Sequence, residues 1–149
     1  MLRFNEVRIF VKGNPVPKAR PRFTKRGFTY DVQGKQKTDF LLQVKSQMPD
    51  KLMTGPIQMK CLFKIQRPKS HYRAGKYASK LKPSSPVHHI QRPDTDNYAK
   101  FCMDCLNGVA YKDDSQVFML EAHKAWTEYG EDPETLIDIM EYLGDSDDQ

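Results

Sequence analysis

The segment 57–65 constrains the fold most, because apolar side chains alternate along its whole length. One face carries Ile57, Met59, Cys61, Phe63 and Ile65, while mostly polar residues occupy the other. A period of two residues is typical of a strand with one face on a core and the other toward solvent. Residues 6–13 alternate in the same way, so the chain is expected to build a β-sheet with one buried face.

Two other segments have apolar residues at helical spacing. Residues 37–48 predict a helix, with Thr38 available as its N-terminal cap. A second helix is expected from Asp96 to about Asn107, with an apolar stripe on one side and polar residues on the other. Each helix can therefore cover part of one face of the sheet.

The last third of the chain predicts two more strands, at 116–126 and 134–143. The turn-rich segment between them suggests that they form a hairpin. The whole order predicts one compact α+β domain with a mixed β-sheet and two main helices. This domain is expected to cover residues 1–144, and residues 145–149 are expected to be an acidic tail.

Charge is strongly segregated along the chain, although the formal net charge is only +5. Residues 1–92 hold 21 Lys and Arg against 4 acids, whereas residues 93–149 hold 3 against 15. A basic half beside an acidic half fits a polyanion partner bound next to an acidic centre. Nucleic acid together with a divalent metal ion satisfies both halves.

Residues 66–92 form a long stretch with no acid, seven Lys or Arg and three prolines. A loop of this length is uncommon inside a compact domain unless it has a function or is mobile. We expect a flexible basic arm that becomes ordered on DNA phosphates, and a merely solvated insertion is the alternative.

Cysteine and hydropathy patterns limit the location and the chemistry. Cys61, Cys102 and Cys105 are an odd number, and the C-x-x-C pair falls in an apolar helical pattern, so all three are expected to be core residues rather than redox or metal groups. The sequence has neither an apolar run long enough to cross a membrane nor the apolar core of a secretory signal. A cytoplasmic protein without membrane contact is expected.

Four aspartates lie at the two ends of the second predicted helix. Asp94 and Asp96 precede or begin it, and Asp113 and Asp114 follow before the next strand, which could bring the two groups together. Carboxylates that meet repel one another, and a hard cation such as Mg²⁺ removes that repulsion. Lys100, four residues after Asp96, shares its helical face and could stabilise charge on a phosphate.

Structural explanations compete with this interpretation. Asp94 or Asp96 could be a helix cap, Asp96 and Lys100 could be an ordinary ion pair, and Asp113-Asp114 could be a turn. Each explanation accounts for one or two residues, but none accounts for the concentration of aspartates at both ends of one helix.

The acidic segment resembles the RusA family of Holliday-junction resolvases. The family pattern appears as DTDNYAK at 94–100, DCL at 104–106 and DDSQV at 113–117. Near the start, GNPVPKARPRF at 13–23 is similar to the family's G-x-P-x-x-K-x-R-P-R element. The resemblance covers most of the chain, although the 66–92 loop is longer than in the shortest members.

This resemblance implies a RusA-like homodimer that cuts four-way DNA junctions with Mg²⁺, in DNA recombination and repair. By matching positions, Asp94, Asp96 and Asp114 are the implied metal ligands, Asp113 is a further candidate, and Lys100 is the implied basic catalytic residue. A two-fold enzyme also suits a two-fold junction.

The basic residues are expected to hold the DNA by phosphate contacts. The candidates are Lys18, Arg20, Arg22, Lys69, Arg73, Lys76 and Arg92. Two rival functions remain at this stage. One is a nuclease that acts on other DNA structures, and the other is a non-catalytic nucleic-acid-binding protein whose aspartates are caps and turns.

Overall fold

The computed structural model describes residues 2–20, 22–30 and 32–145, with Arg22 described by its backbone alone. The α+β architecture is confirmed: two helices and a mixed four-stranded sheet form one domain in this part of the chain. Of the predicted acidic tail, residues 146–149 lie outside the described residues. The elements are β1 (Leu2–Lys12), β2 (Arg22–Phe23), β3 (Thr29–Tyr30), α1 (Gly34–Lys45), β4 (Ile57–Ile65), α2 (Thr95–Leu106), β5 (Val117–Trp126) and β6 (Glu134–Asp145).

The sheet has the order β1-β6-β4-β5, so the prediction of a β5–β6 hairpin is wrong. β4 lies between these two strands, antiparallel to β6 and parallel to β5. The inward residues of β6, such as Ile137 and Ile139, are nearly inaccessible at the centre of the sheet. β5 keeps Phe118 57% exposed and takes an edge.

Both helices pack on the inward face of the sheet, where they bury the alternating residues of β1, β4 and β6. The ring of Phe40 in α1 meets the ring of Phe101 in α2 edge to face, with centroids 5.6 Å apart. The ring of Tyr98 stacks on Phe63 of β4 at 5.3 Å. The core interpretation of the three cysteines is confirmed, because all are buried in the hydrophobic core, and burial raises the pKa of Cys61 to about 12.

Helix α1 also covers the free edge of β1. The side-chain amides of Gln43 and Gln47 bind the backbone N–H and C=O groups of Lys12 and Phe10, at distances of 2.8 to 3.2 Å. These bonds leave fewer edge groups open to another strand. The prediction of Thr38 as the helix cap is wrong, since α1 begins at Gly34 and the Thr38 hydroxyl donates to the Gly34 carbonyl within the helix.

The long loop predicted at 66–92 is held against the fold by its own contacts. Its Arg67 guanidinium donates to the Pro86 carbonyl at 2.7 Å and lies 5.5 Å from the centre of the Trp126 ring. Short 3-10 turns occur at Lys69–His71 and Gly75–Tyr77. These contacts and turns give the loop a defined shape on the fold. None of the described helices has the length and hydropathy that a membrane span requires.

Candidate active site

Asp94 and Asp96 lie at the start of α2 with exposed carboxylates. Asp94 occupies the N-cap position with an extended backbone, but its side chain caps no backbone group of the described residues. Asp96 falls in the first helical turn. The Asp94 side chain therefore does not cap the helix, and both carboxylates are available to a ligand.

Lys124 of β5 fixes the chain segment that leads to these aspartates. Its ammonium group donates to the backbone carbonyls of Gln91, at 2.5 Å, and of Pro93, at 2.9 Å. Charge-assisted bonds of this kind are about twice as strong as neutral ones. Sequence reasoning missed this positioning role, because a lysine in a strand pattern gives no signal of which backbone carbonyls it will reach.

Lys18 fixes α2 from the other side. Its backbone N–H donates to the Asn97 carbonyl at 2.9 Å, and its ammonium lies 3.0 Å from the Asp104 carboxylate. The buried amide of Gln33 supports this segment by binding the Pro17 carbonyl and the Ala19 N–H, each at 2.8 Å. Lys18, predicted to contact DNA, is thus already engaged within the protein.

Asp113 closes a capping box at the turn before β5. Its carboxylate accepts from the Ser115 N–H at 3.0 Å, while the Gln116 side chain accepts from the Asp113 N–H at 3.0 Å. The hydrogen bond from Ser115 lowers the pKa of Asp113. Gln116 also donates to the carbonyls of Met53 and Gly55, each at 3.0 Å, so the turn is tied to the start of β4.

Asp114 is the half-buried neighbour of this cap and lies in the first turn of a short 3-10 helix, Asp114–Gln116. It lies close to Tyr111, whose pKa is raised by burial and then by the negative charge of Asp114. The Tyr111 hydroxyl donates to the Met103 carbonyl at 2.8 Å, which places this corner beside the C-terminal half of α2.

The two acidic groups lie at opposite ends of β5 and α2 within one chain. Asp94 follows Pro93, whose carbonyl Lys124 binds, whereas Asp114 lies three residues before Val117 at the start of β5. At the usual rise per residue, β5 covers about 23 Å between Val117 and Lys124. No group of three His, Cys, Asp or Glu in the described ranges is close enough to hold a metal ion. The expectation that the return strand brings Asp114 beside Asp94 and Asp96 is not met within a single chain.

Lys100 lies one helical turn after Asp96, on an exposed part of α2. Among the described residues, Lys100 and Asp96 do not form an ion pair, so they are not the ordinary helix pair that the spacing allowed. An exposed ammonium one turn from two exposed carboxylates can neutralise charge on a bound phosphate.

The predicted DNA contacts on the long loop are exposed. This group comprises Lys69, Arg73, Lys76 and Arg92, and Arg20 is exposed on the segment before β2. The side chain of Arg22 lies outside the described part of the structure. His89, by contrast, packs on the Trp126 ring at 4.3 Å, and burial followed by the Lys124 charge lowers the pKa of His89.

Exposed carboxylates at a helix start, a nearby lysine and a basic surface are the features of an enzyme that cleaves nucleic acid. The comparisons with known proteins agree. The family model described as endodeoxyribonuclease RusA matches residues 12–140. An uncharacterized protein of Bacillus subtilis, YqaN, is 33% identical over 140 residues, covering 91% of this chain and 96% of its own length. The chain belongs to the RusA family of endodeoxyribonucleases.

Proposed function

We propose that the protein is a Mg²⁺-dependent endodeoxyribonuclease that cleaves Holliday junctions and related branched DNA, in recombination and repair. The observation that carries this proposal is the pair of exposed carboxylates of Asp94 and Asp96 at the start of α2, in a chain of this family. The Asp94 carboxylate does not cap the helix. Lys100 stabilises charge on the scissile phosphate, and the exposed basic residues hold the DNA arms.

Asp94, Asp96 and Asp114 are the residues that would hold Mg²⁺. Carboxylate oxygens are the ligands this ion prefers, and among the described contacts none of the three side chains has a hydrogen-bond or ion-pair partner. The bound ion supplies an activated water and a counter-charge for the phosphoryl oxygens. Asp113 is committed to its cap, so Asp114 is the better ligand of the pair.

The distance between the acidic groups leads us to propose that two copies of the chain complete each site. A pair of sites related by a two-fold axis forms when Asp114 of each copy approaches Asp94 and Asp96 of the other. This arrangement explains how one set of ligands can lie at opposite ends of β5.

The edge strand β5 offers a way to build that dimer. Its outer edge is not covered by another strand of the described sheet, and it exposes Phe118, Met119 and Leu120. If two β5 strands pair antiparallel, the start of each strand lies beside the end of the other. Asp114 of one copy then comes next to the Lys124 and Asp94 end of its neighbour.

Mixing inactive variants tests the shared site directly. A dimer of one Asp94→Asn chain and one Asp114→Asn chain has both substitutions in one site and none in the other. Co-expressed in equal amounts, the two should recover about a quarter of the native nicking rate on a four-way junction, because half of the dimers carry one intact site. Sites built within one chain predict no recovery.

A matched control uses Asp94→Asn with Asp96→Asn. These residues belong to the same half of the site, so every mixed dimer has a substituted ligand in both sites and should stay inactive. Recovery in this control, or none in the first mixture although mixed dimers form, contradicts the shared site.

The substrate class needs a separate comparison. A junction enzyme should nick a four-way junction with Mg²⁺ much faster than the linear duplex of the same sequence. Equal rates favour the alternative of a nuclease on other DNA structures. Binding without any nicking, or nicking that persists in Asp94→Asn, favours the non-catalytic binding protein.

A further inference from the structure

A cavity of about 400 Å³ opens between the long loop and the turn after β5. Its walls include Arg67, Lys69, Tyr72, Arg73, Glu128 and Tyr129. The volume falls within the usual range of about 300–1,000 Å³ for small-ligand sites. Neither the metal ligands nor the dimer edge uses these residues.

The cavity combines aromatic faces with cationic groups. The rings of Tyr72 and Tyr129 lie 5.5 Å apart at an angle of 67°, and the Tyr129 side chain is 63% exposed. Lys69 and Arg73 are both exposed on the loop side. Flat rings next to cations are the chemistry that holds an unpaired base by stacking and its phosphate by charge.

Hydrogen bonds within the protein hold both walls of the cavity. On the loop side, the Arg73 N–H donates to the Lys80 carbonyl at 2.8 Å, which closes the hairpin-like stretch around Tyr72. On the other side, the Glu131 carboxylate accepts from the Glu128 N–H at 3.0 Å and from the Lys64 ammonium at 2.8 Å, which shapes the turn carrying Tyr129. A preformed site loses less conformational entropy on binding.

Strand β5 connects the cavity to the acidic end of α2, because Lys124 near its end holds the segment before α2 and the chain then runs on to Glu128 and Tyr129 in the cavity wall. Arg67, in its wall, binds the Pro86 carbonyl, and the same chain segment continues to Pro93, which Lys124 holds next to Asp94. Glu128 adds a carboxylate acceptor to the wall, suited to the exocyclic amino group of a base such as cytosine.

We propose that this cavity receives one unpaired nucleotide of the branched DNA, taken from the branch point next to the scissile phosphate. The inference rests on the proposed function, because it names the feature of the substrate that this side of the enzyme recognises. The base stacks on Tyr129 against Tyr72, and Lys69 and Arg73 contact the flanking phosphates.

The test uses a four-way junction with one unpaired 2-aminopurine nucleotide at the branch point, bound in EDTA so that no cleavage occurs. The native protein should quench the fluorescence, since the base leaves water for an aromatic contact. Tyr129→Ala should lose the quenching and weaken junction binding roughly 5-fold or more, the usual loss for one stacked base. Its affinity for linear duplex should stay within about 2-fold.

Tyr77→Ala is the matched control. Tyr77 lies on the same loop with a 45% exposed side chain but outside the cavity wall, so this variant should quench and bind like the native protein. Tyr129→Phe keeps the ring and should also retain quenching. Unchanged quenching and affinity in Tyr129→Ala, or an equal loss in Tyr77→Ala, overturns the proposal.

The nucleotide site and the proposed nuclease activity fail separately. If Tyr129→Ala nicks and binds junctions normally, the nucleotide site is wrong while the nuclease stands. If the native protein does not nick with Mg²⁺ but still shows Tyr129-dependent quenching on a single-stranded hexamer containing 2-aminopurine, the nuclease is wrong while the nucleotide site stands.

Discussion

The ammonium group of Lys18 lies 3.0 Å from the carboxylate of Asp104, joining the segment after β1 to the outer side of α2. Both side chains are mostly shielded, with 20% and 28% of their surfaces exposed. The pair connects two separate parts of the sequence pattern, the K of GNPVPK and the D of DCL. The pair positions α2, whose N-terminal end carries Asp94 and Asp96.

Replacing Lys18 with Met should therefore affect stability more than DNA binding. We expect a loss of about 1–2 kcal/mol in the free energy of unfolding, because Asp104 loses a charged partner. The salt dependence of DNA affinity should hardly change. Arg20→Met is the comparison: it should leave stability intact and reduce the slope of log affinity against log salt by about one. Urea denaturation and a salt series measure the two effects, and a reversed result shows that Lys18 contacts phosphate.

Asp113 and Asp114 should separate into a structural and a catalytic residue. Asp114→Asn should lower the nicking rate by roughly 100-fold or more, with little change in the unfolding midpoint. Asp113→Asn should lower the midpoint but keep most of the activity, because it weakens the cap on Ser115. The cap's stabilisation is full at neutral pH, where Asp113 is ionised in both states. It should be lost as the pH falls through the lowered pKa of the folded carboxyl. Equal activities in the two variants contradict this division.

Lys124 should act as a positioning residue. In Lys124→Met the carbonyls of Gln91 and Pro93 lose their shared donor, so the chain entering α2 is no longer held. We expect nicking under saturating junction to fall about 10-fold or more, with junction affinity in EDTA changed by less than about 3-fold. Lys124→Arg, which keeps a donor, should recover part of the activity. If affinity falls as much as nicking, Lys124 binds the DNA itself.

His89 should make stability depend on pH. Burial lowers its pKa, so between the ordinary histidine value of about 6.5 and the lower folded value only the unfolded chain takes up a proton. Stability should fall as the pH is lowered through that window and then level off. Urea midpoints at neutral and mildly acidic pH should show a smaller loss for His89→Leu than for the native protein. His88→Leu keeps His89 and should retain the native loss.

A side chain at Gly55 should destabilise the fold. A Cβ atom at this position would lie 2.7 Å from the Tyr142 carbonyl oxygen, and backbone there cannot easily move because Tyr142 belongs to β6. Gly55→Ala should cost about 1–3 kcal/mol in the free energy of unfolding. Since the Gly55 carbonyl also accepts from Gln116, nicking should fall as the Asp114 turn shifts. An unchanged thermal midpoint refutes this tight contact.

Local patterns predicted most elements because their periods are set by backbone geometry alone. β4 and α2 match the predicted bounds closely, and the buried cysteines follow from their place in an apolar stripe. The prediction of a Thr38 cap was wrong because the helix begins earlier, at Gly34, where the sequence shows no capping motif. The prediction of a β5–β6 hairpin was wrong because a short connection does not show whether another strand, here β4, lies between the two strands it joins.

The sequence by itself determined the fold class, the basic and acidic halves and the motif that contains Asp94, Asp96 and Asp114, because all of these depend on residue type and spacing. Only the tertiary structure decided that Lys18 and Lys124 hold the chain around α2. It also decided that Asp113 caps a turn, while the Asp114 side chain makes no hydrogen bond or ion pair among the described residues. It also placed Asp114 before the start of β5 and Asp94 near Lys124 at the other end of this strand. Such distances depend on how a rigid helix and strand lie together, and spacing along the chain does not specify this.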